Sequence, residues 1–342
     1  FATVITGDGK LRVGEGPVRT GVTAIFPLGK DALAGVPAAC FSFNGVGEMT
    51  GFHFLQEYGT LYTPVLITNT LSVGVVHDAY IRWARDRIDS QADLVARTLP
   101  VVAETWDGFL NDIFGLHIRP DHVFAALDSA RAGPVAEGNV GGGNGMRAFR
   151  FKAGTGTSSR MVEIGSERFV LGVLVQANFG ERHELRVAGV PVGEEITDLM
   201  PSGGNAHEEG TSILAVISTD APLLPHQLQR LAKRAALAIG RMGGVSHNTS
   251  GDLFLAFSTA NATRFADAVV HSYSALAHEA IDPLFSATVQ ATEEAIINSL
   301  VAAETMTGVD GRTVFALPHD SLREILRKYG RLSASEGSNR VN

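Results

Sequence analysis

Two hydroxyls open an apolar run near the middle of the chain. In HEEGTSILAVISTDAPLLPHQL, a polar loop carrying Gly210 leads into SILAVIS, and the first hydroxyls are Thr211 and Ser212. A hydroxyl at a strained loop-to-strand junction can attack the carbonyl before it. An N→O acyl shift then gives an ester, and hydrolysis of the ester frees an α-amine. Such an amine has a pKa of about 7.7–8.0, which suits a general base near neutrality. One residue would then supply both nucleophile and base. The same two residues also read as the ordinary start of a strand, threonine being a good strand former. A second segment, HNTSGDLFLAFSTAN (247–261), places Ser250 two residues before Asp252. If extended, the pair shares one side and could orient an amine and relay its proton. Otherwise it is a turn with a side-chain cap.

Other chemistries find less support. Cys40, the single cysteine, lies in the apolar VPAACFSF and reads as buried and structural. Among the eleven histidines, His271 and His278 are seven apart, two helical turns and too distant to share a metal easily, so no metal site is read. GGGNG (141–145) lacks the GK[ST] ending of a phosphate loop, and no GxSxG elbow is present.

These residues need elements to hold them. GVTAIFPL (21–28), ACFSF (39–43), PVVAET (100–105), FVLGVLVQAN (169–178) and SILAVIS (212–218) are short apolar runs between turn signals, and read as strands. Several are apolar throughout, which predicts cover on both faces. Helical periods run over 71–87, 122–132, 225–242, 263–278 and 283–307, with a shorter one at 321–329. Strands and helices do not alternate strictly. Stacked sheets with helices outside therefore fit better than a doubly wound parallel sheet.

The formal charge of −8 argues against nucleic acid as a partner, and no apolar run is long enough to span a membrane. Phe1 to Ile5 already reads as a strand, without an initiator Met or a signal-peptide pattern. A segment upstream is therefore expected, and the compartment stays open between cytoplasm and periplasm.

The two central segments, with VRTGVTAIFP (18–27), NGVGEMTG (44–51), PVLITNTLSVG (64–74), GGGNGMRAFRFKAGTGTSSR (141–160) and TDAPLLPHQL (219–228), resemble the DmpA family of self-processing aminopeptidases. That family includes β-peptidyl aminopeptidases, and nylon-oligomer hydrolases are distant relatives. The resemblance covers nearly the whole chain. It implies an α/β fold, a four-layer αββα sandwich of the DmpA/ornithine acetyltransferase type, self-cleaved into 1–211 and 212–342. It implies hydrolysis of an amide or ester next to a free amino terminus, without a cofactor, by a homo-oligomer, a tetramer of αβ units. An acyltransferase of the ornithine acetyltransferase type is the alternative with the same fold.

The family's nucleophile maps to Ser212 and its scissile bond to Thr211–Ser212. Members usually carry Gly or Asn where this chain has Thr211, which leaves Gly210–Thr211 as a rival bond. Ser250 and Asp252 map to the supporting hydroxyl and carboxylate. Asn178 maps to the oxyanion-hole asparagine and Glu104 to the group that holds the substrate ammonium. Trp106 stands where members often have Tyr. Lys152 maps to a pocket lysine of the nylon hydrolases, and on the residues alone it reads equally as a surface lysine.

Overall fold

The computed structural model describes residues 1–203, 211–265 and 268–332. Two sheets carry the molecule. The first has four strands: β1 (Ala2–Thr6), β2 (Val18–Ile25), β5 (Val65–Asn69) and β6 (Val101–Thr105), in the order β1-β2-β5-β6. The second runs β4-β3-β12-β11-β10-β9. Its members are β3 (Val36–Gly45), β4 (Thr60–Leu61), β9 (Thr155–Ile164), β10 (Glu167–Asn178), β11 (Thr211–Thr219) and β12 (Ser250–Ser258). Two short hairpins complete the strands: β7 (Arg147–Ala148) with β8 (Phe151–Lys152), and β13 (Met306–Thr307) with β14 (Thr313–Val314).

Strand alternation assigns each face. On β11, Leu214 and Val216 pack against Val65, Ile67, Val101 and Ala103, between the sheets. Their neighbours Ile213, Ala215 and Ile217 pack the other way, against the helices Pro225–Ala232 and Asp282–Val301. On the four-stranded sheet, Leu66 and Val102 face the helices Val73–Arg85 and Pro120–Asp128. The order is helix, sheet, sheet, helix, the αββα sandwich expected. Burial on both faces explains why these strands are apolar throughout. Each fully buried Val, Leu or Ile contributes roughly 1.5–3 kcal/mol.

Two pairs are parallel, β5/β6 and β11/β12. A parallel pair needs a crossover, and the helices Val73–Arg85 and Pro225–Ala232 lie within the two connections.

One helical expectation fails. Among the described residues, 263–278 form no α-helix. Val269 and Val270 are exposed at 103% and 81% in the path the chain takes instead. What holds the segment is a set of main-chain anchors: Thr263 bridges Gly35, Ser274 N–H donates to Asn261 Oδ1, and the Leu276 carbonyl accepts from Gln227. Other spans shift at their ends. The 225–242 period is interrupted at Lys233–Arg234, and the 283–307 helix stops at Val301, before Met306 enters β13. Cys40 is buried beside Met49, and burial pushes its thiol up to about 12.

Candidate active site

Register brings the predicted residues together. Antiparallel β10 sets Asn178 opposite Ser212. Parallel β12 sets Ser250 opposite Thr211, Gly251 opposite Ser212 and Asp252 opposite Ile213. The amino ends of β11 and β12 therefore meet the end of β10. Glu104 and Trp106 come from the carboxyl end of β6 in the facing sheet.

Ser212 is 4% exposed, and its hydroxyl is engaged on both sides. Oγ donates to the Thr211 carbonyl oxygen at 2.6 Å and accepts the Gly251 N–H at 3.1 Å. The nucleophile candidate thus rests against the carbonyl it would have to attack. Gly251 is needed here, because a Cβ would press on Gly47 and the Val46 carbonyl. Thr211 Oγ is buried and has no hydrogen-bond partner among the described residues. Gly210, and so half of the rival bond, lies outside those residues.

Alternation places Ser212 on the face of Leu214 and Val216, between the sheets, and Asp252 on the face of Phe254 and Ala256, toward the helices. Asp252 accepts from the Ser250 hydroxyl at 2.6 Å, from the Ser246 hydroxyl and from the Ile213 N–H. It therefore lies against the main chain at the start of β11, on the face opposite the Ser212 hydroxyl. Burial pushes its carboxyl above the usual range, and the two hydroxyls, the Ile213 N–H and nearby His247 pull it back.

Asn178 is anchored through its side chain. Its amide donates to the Trp106 carbonyl at 2.9 Å, and its Oδ1 accepts the Arg147 N–H at 3.1 Å. The Trp106 ring meets Phe114 edge-on, with centroids 6.3 Å apart. Glu104 is 4% exposed and accepts from the Glu48 N–H at 2.9 Å and from the Thr70 hydroxyl. Burial raises its carboxyl above the ordinary value, and those two donors pull it partly back. Glu104, Trp106 and Ser212 line one open cavity of about 800 Å³, with Val46, Ile113, Phe114 and Arg312 among the other walls. The size suits a small peptide.

Lys152 joins neither group. It is fully buried, and its ammonium donates to the Met146 and Ala153 carbonyls at 2.8 and 2.5 Å. Burial pulls it down to about 7. Phe149 and Arg150 both adopt positive φ in the turn just before it, and Lys152 lies in the interior, not on the surface. GGGNG is also structural: Gly141, at φ 54, crosses so close to Thr23 that a Cβ would collide. No group of three or more His, Cys, Asp or Glu that could hold a metal occurs among the described residues.

Sequence reasoning missed Ser246, the second hydroxyl on Asp252. It sits four residues before Ser250 with φ 56, a strained backbone for a non-glycine residue. Only the strand register and that turn reveal it. Ser246→Ala should destabilise the fold by about 1–3 kcal/mol through the lost bond to a charged group. Ser246→Gly should be less damaging by about 1 kcal/mol, since glycine tolerates this φ. Denaturant melts of both variants check the order, and equal losses would mean that the backbone strain contributes nothing.

Residues 2–314 match Peptidase family S58. The chain belongs to that family. A β-peptidyl aminopeptidase, BapA of Sphingosinicella microcystinivorans, is 51% identical, covering 98% of this chain and 87% of its own. The structure of the L-aminopeptidase D-Ala-esterase/amidase of Ochrobactrum anthropi, described as a variant of the Ntn hydrolase fold, superposes with a TM-score of 0.86. It is 41% identical, over 97% of this chain and 92% of that one. A β-aminopeptidase from a Burkholderia species gives 0.84 at 39% identity, over 97% and 91%. This S58 chain is a hydrolase, an aminopeptidase with the Ntn-hydrolase fold, as the DmpA resemblance implied. The acyltransferase alternative is not favoured.

Proposed function

We propose that this aminopeptidase activates itself by cleaving Thr211–Ser212, and then removes N-terminal residues, β-amino acids included, from short peptides and amides. The observation that carries the reading is the 2.6 Å contact between Ser212 Oγ and the Thr211 carbonyl oxygen, at the wall of a peptide-sized cavity. In processing, Oγ attacks the Thr211 carbonyl carbon, the Thr211–Ser212 C–N bond breaks, and the Oγ proton passes to the Ser212 nitrogen. Water hydrolyses the resulting ester. Chains 1–211 and 212–342 result, and both contribute strands to the six-stranded sheet, so they stay one folded domain.

In turnover, Oγ attacks the substrate acyl carbon while the Ser212 amine takes its proton and passes it to the leaving amine. The Asn178 amide donates to the oxyanion, and Ser250 with Asp252 orients the α-amine. Glu104 holds the substrate ammonium as a charge-assisted pair, with Trp106 beside it. The inclusion of β-amino acids comes from the names of the relatives. By the same resemblance the αβ units assemble as a homo-oligomer, a tetramer. Intact mass with N-terminal sequencing tests the processing: the second chain should begin SILAVIS. A start at TSILAV would move the nucleophile to Thr211, and an intact chain after long incubation would refute the mechanism.

A second test concerns the amine. N-acetylated peptides should resist cleavage. Glu104→Gln should raise KM roughly tenfold to a hundredfold, as loss of a bond to a charged group does. In the wild type, KM should rise as pH falls into the raised range of Glu104, because the protonated acid no longer attracts an ammonium. Equal rates on blocked and free peptides would remove Glu104 from this role.

A further inference from the structure

The cavity has an apolar side that the foregoing chemistry does not use. Phe114 is 65% exposed and Val13 66% exposed, and both line the cavity with Ser212 and Glu104. Large apolar side chains left open in a concave site mark where an apolar ligand group is to be covered. One residue ties both to the fold. Asp112 Oδ2 accepts the Gly14 N–H at 2.8 Å, on the turn that carries Val13, and meets His117 Nε2 at 2.8 Å, so that Asp112 and His117 bracket Phe114. The first turn is closed on itself: the Gly16 N–H donates to the Arg12 carbonyl and the Arg12 N–H to the Gly16 carbonyl, both at 3.0 Å. In the second, Ile113–Gly115, the Gly115 N–H returns to the Asp112 carbonyl at 3.1 Å. Gly115 is needed there, because a Cβ would collide with the Asp112 carboxylate and the His117 ring. The apolar side also adjoins the ammonium site. Glu104 and Trp106 are two residues apart where β6 ends, and Phe114 is the ring that meets Trp106 edge-on.

We propose that Phe114 and Val13 form an apolar subsite for the side chain of the substrate's N-terminal residue, so that the preferred N-terminal residues carry a branched aliphatic or aromatic side chain. The proposal rests on the reading of Ser212 as nucleophile and Glu104 as ammonium site. With the ammonium on Glu104 and the acyl carbon at Ser212 Oγ, the N-terminal residue spans the two, and its side chain is delivered to the side of the cavity where Trp106 meets Phe114. An apolar side chain and the two open residues then leave water together. A small or charged side chain leaves them exposed and gains nothing there.

The test uses the processed full chain and two p-nitroanilides with one leaving group, β-homoleucyl and β-alanyl. The wild type should prefer β-homoleucyl by roughly tenfold or more in kcat/KM. Phe114→Ser and Val13→Ser should each lower that ratio about threefold or more, and Phe114→Leu, which keeps an apolar surface, should retain most of it. A second pair, β-alanyl-leucine and β-alanylglycine, varies the leaving residue alone, and its ratio should not move in these variants. A wild type that cleaves the β-alanyl anilide without preferring β-homoleucyl would overturn the subsite and leave the Ser212 reading standing. An unchanged ratio in both serine variants would overturn it too, as would a parallel fall on both anilides, the mark of a merely structural residue. A change confined to the dipeptide pair would overturn it by moving the apolar surface to the leaving side. A wild type that cleaves none of the four would overturn both readings.

Discussion

Ser212→Ala should remain a single chain and lose activity by a factor on the order of 10⁴ or more, the scale seen when a nucleophile that also anchors its general base is removed. The double loss follows from one atom. Oγ is the attacking group in the self-cleavage, and without that cleavage the main-chain nitrogen of residue 212 stays an amide with no basicity. Alanine fits the site sterically, because it only deletes an oxygen that bonds the Thr211 carbonyl and the Gly251 N–H. The Gly251 N–H is then unsatisfied, a cost of about 1–3 kcal/mol, which a chain with this much buried core should survive. Circular dichroism of the variant checks that it folds. The same variant tests the rival nucleophile. If Thr211 were the attacking group, Ser212→Ala would still split, and its new chain would begin with Thr211. Thr211→Ala complements it: the threonine hydroxyl is buried without a partner among the described residues, so its removal should leave processing intact. A Ser212→Ala protein that separates into two chains would end the assignment.

What the residues disclosed, and what they did not, follows from how far each signal reaches. SILAVIS and VLVQAN were legible as strands because they are short apolar runs, rich in β-branched residues and bounded by turn signals, and burial on both faces is why they are apolar throughout. The pairing of Asn178 with Ser212, and of Ser250 with Thr211, was not legible in that way, since register is a long-range property. The resemblance alone put those residues in one site. It also carried Lys152 toward the pocket, and the structure shows a fully buried side chain held by the Met146 and Ala153 carbonyls, which excludes the surface reading. Ser246 escaped for a related reason: its hydroxyl reaches Asp252 from a left-handed residue in the loop before β12, which no sequence pattern announces. The absent helix at 263–278 fails on the other side of the balance. Its period is helical, but anchors to Gly35, Asn261 and Gln227 hold its path, and period alone does not report them.

Asp252→Asn should separate processing from turnover. Self-cleavage precedes the free α-amine, so a carboxylate that serves only that amine is dispensable for it, and chain separation should proceed at close to the wild-type rate. Turnover should fall by about 10²–10⁴, the usual worth of a positioned proton-transfer partner. The pH profile carries the sign. An ionised carboxylate beside an α-amine stabilises the ammonium and raises its pKa. Removing that charge lowers the amine's pKa, so the acidic limb of kcat/KM moves to lower pH. The titration of Asp252 itself also vanishes from that limb. Asparagine is a fair replacement, because Oδ1 can still accept the Ile213 N–H and a hydroxyl such as Ser250 can reverse its bond to accept from the new amide. Stability should not suffer either. Burial raises the folded-state pKa of Asp252 above the ordinary carboxylate value, so the folded chain holds this proton more tightly than the unfolded one. The wild type loses stability as pH rises from the unfolded pKa through the folded pKa, and the loss persists at neutrality. Asparagine has no charge to desolvate, so Tm near pH 7 should be equal or higher. An Asp252→Asn enzyme with the wild-type rate and acidic limb would exclude Asp252 from the site, and one that fails to process would mean that the carboxylate acts on the scissile bond before any amine exists.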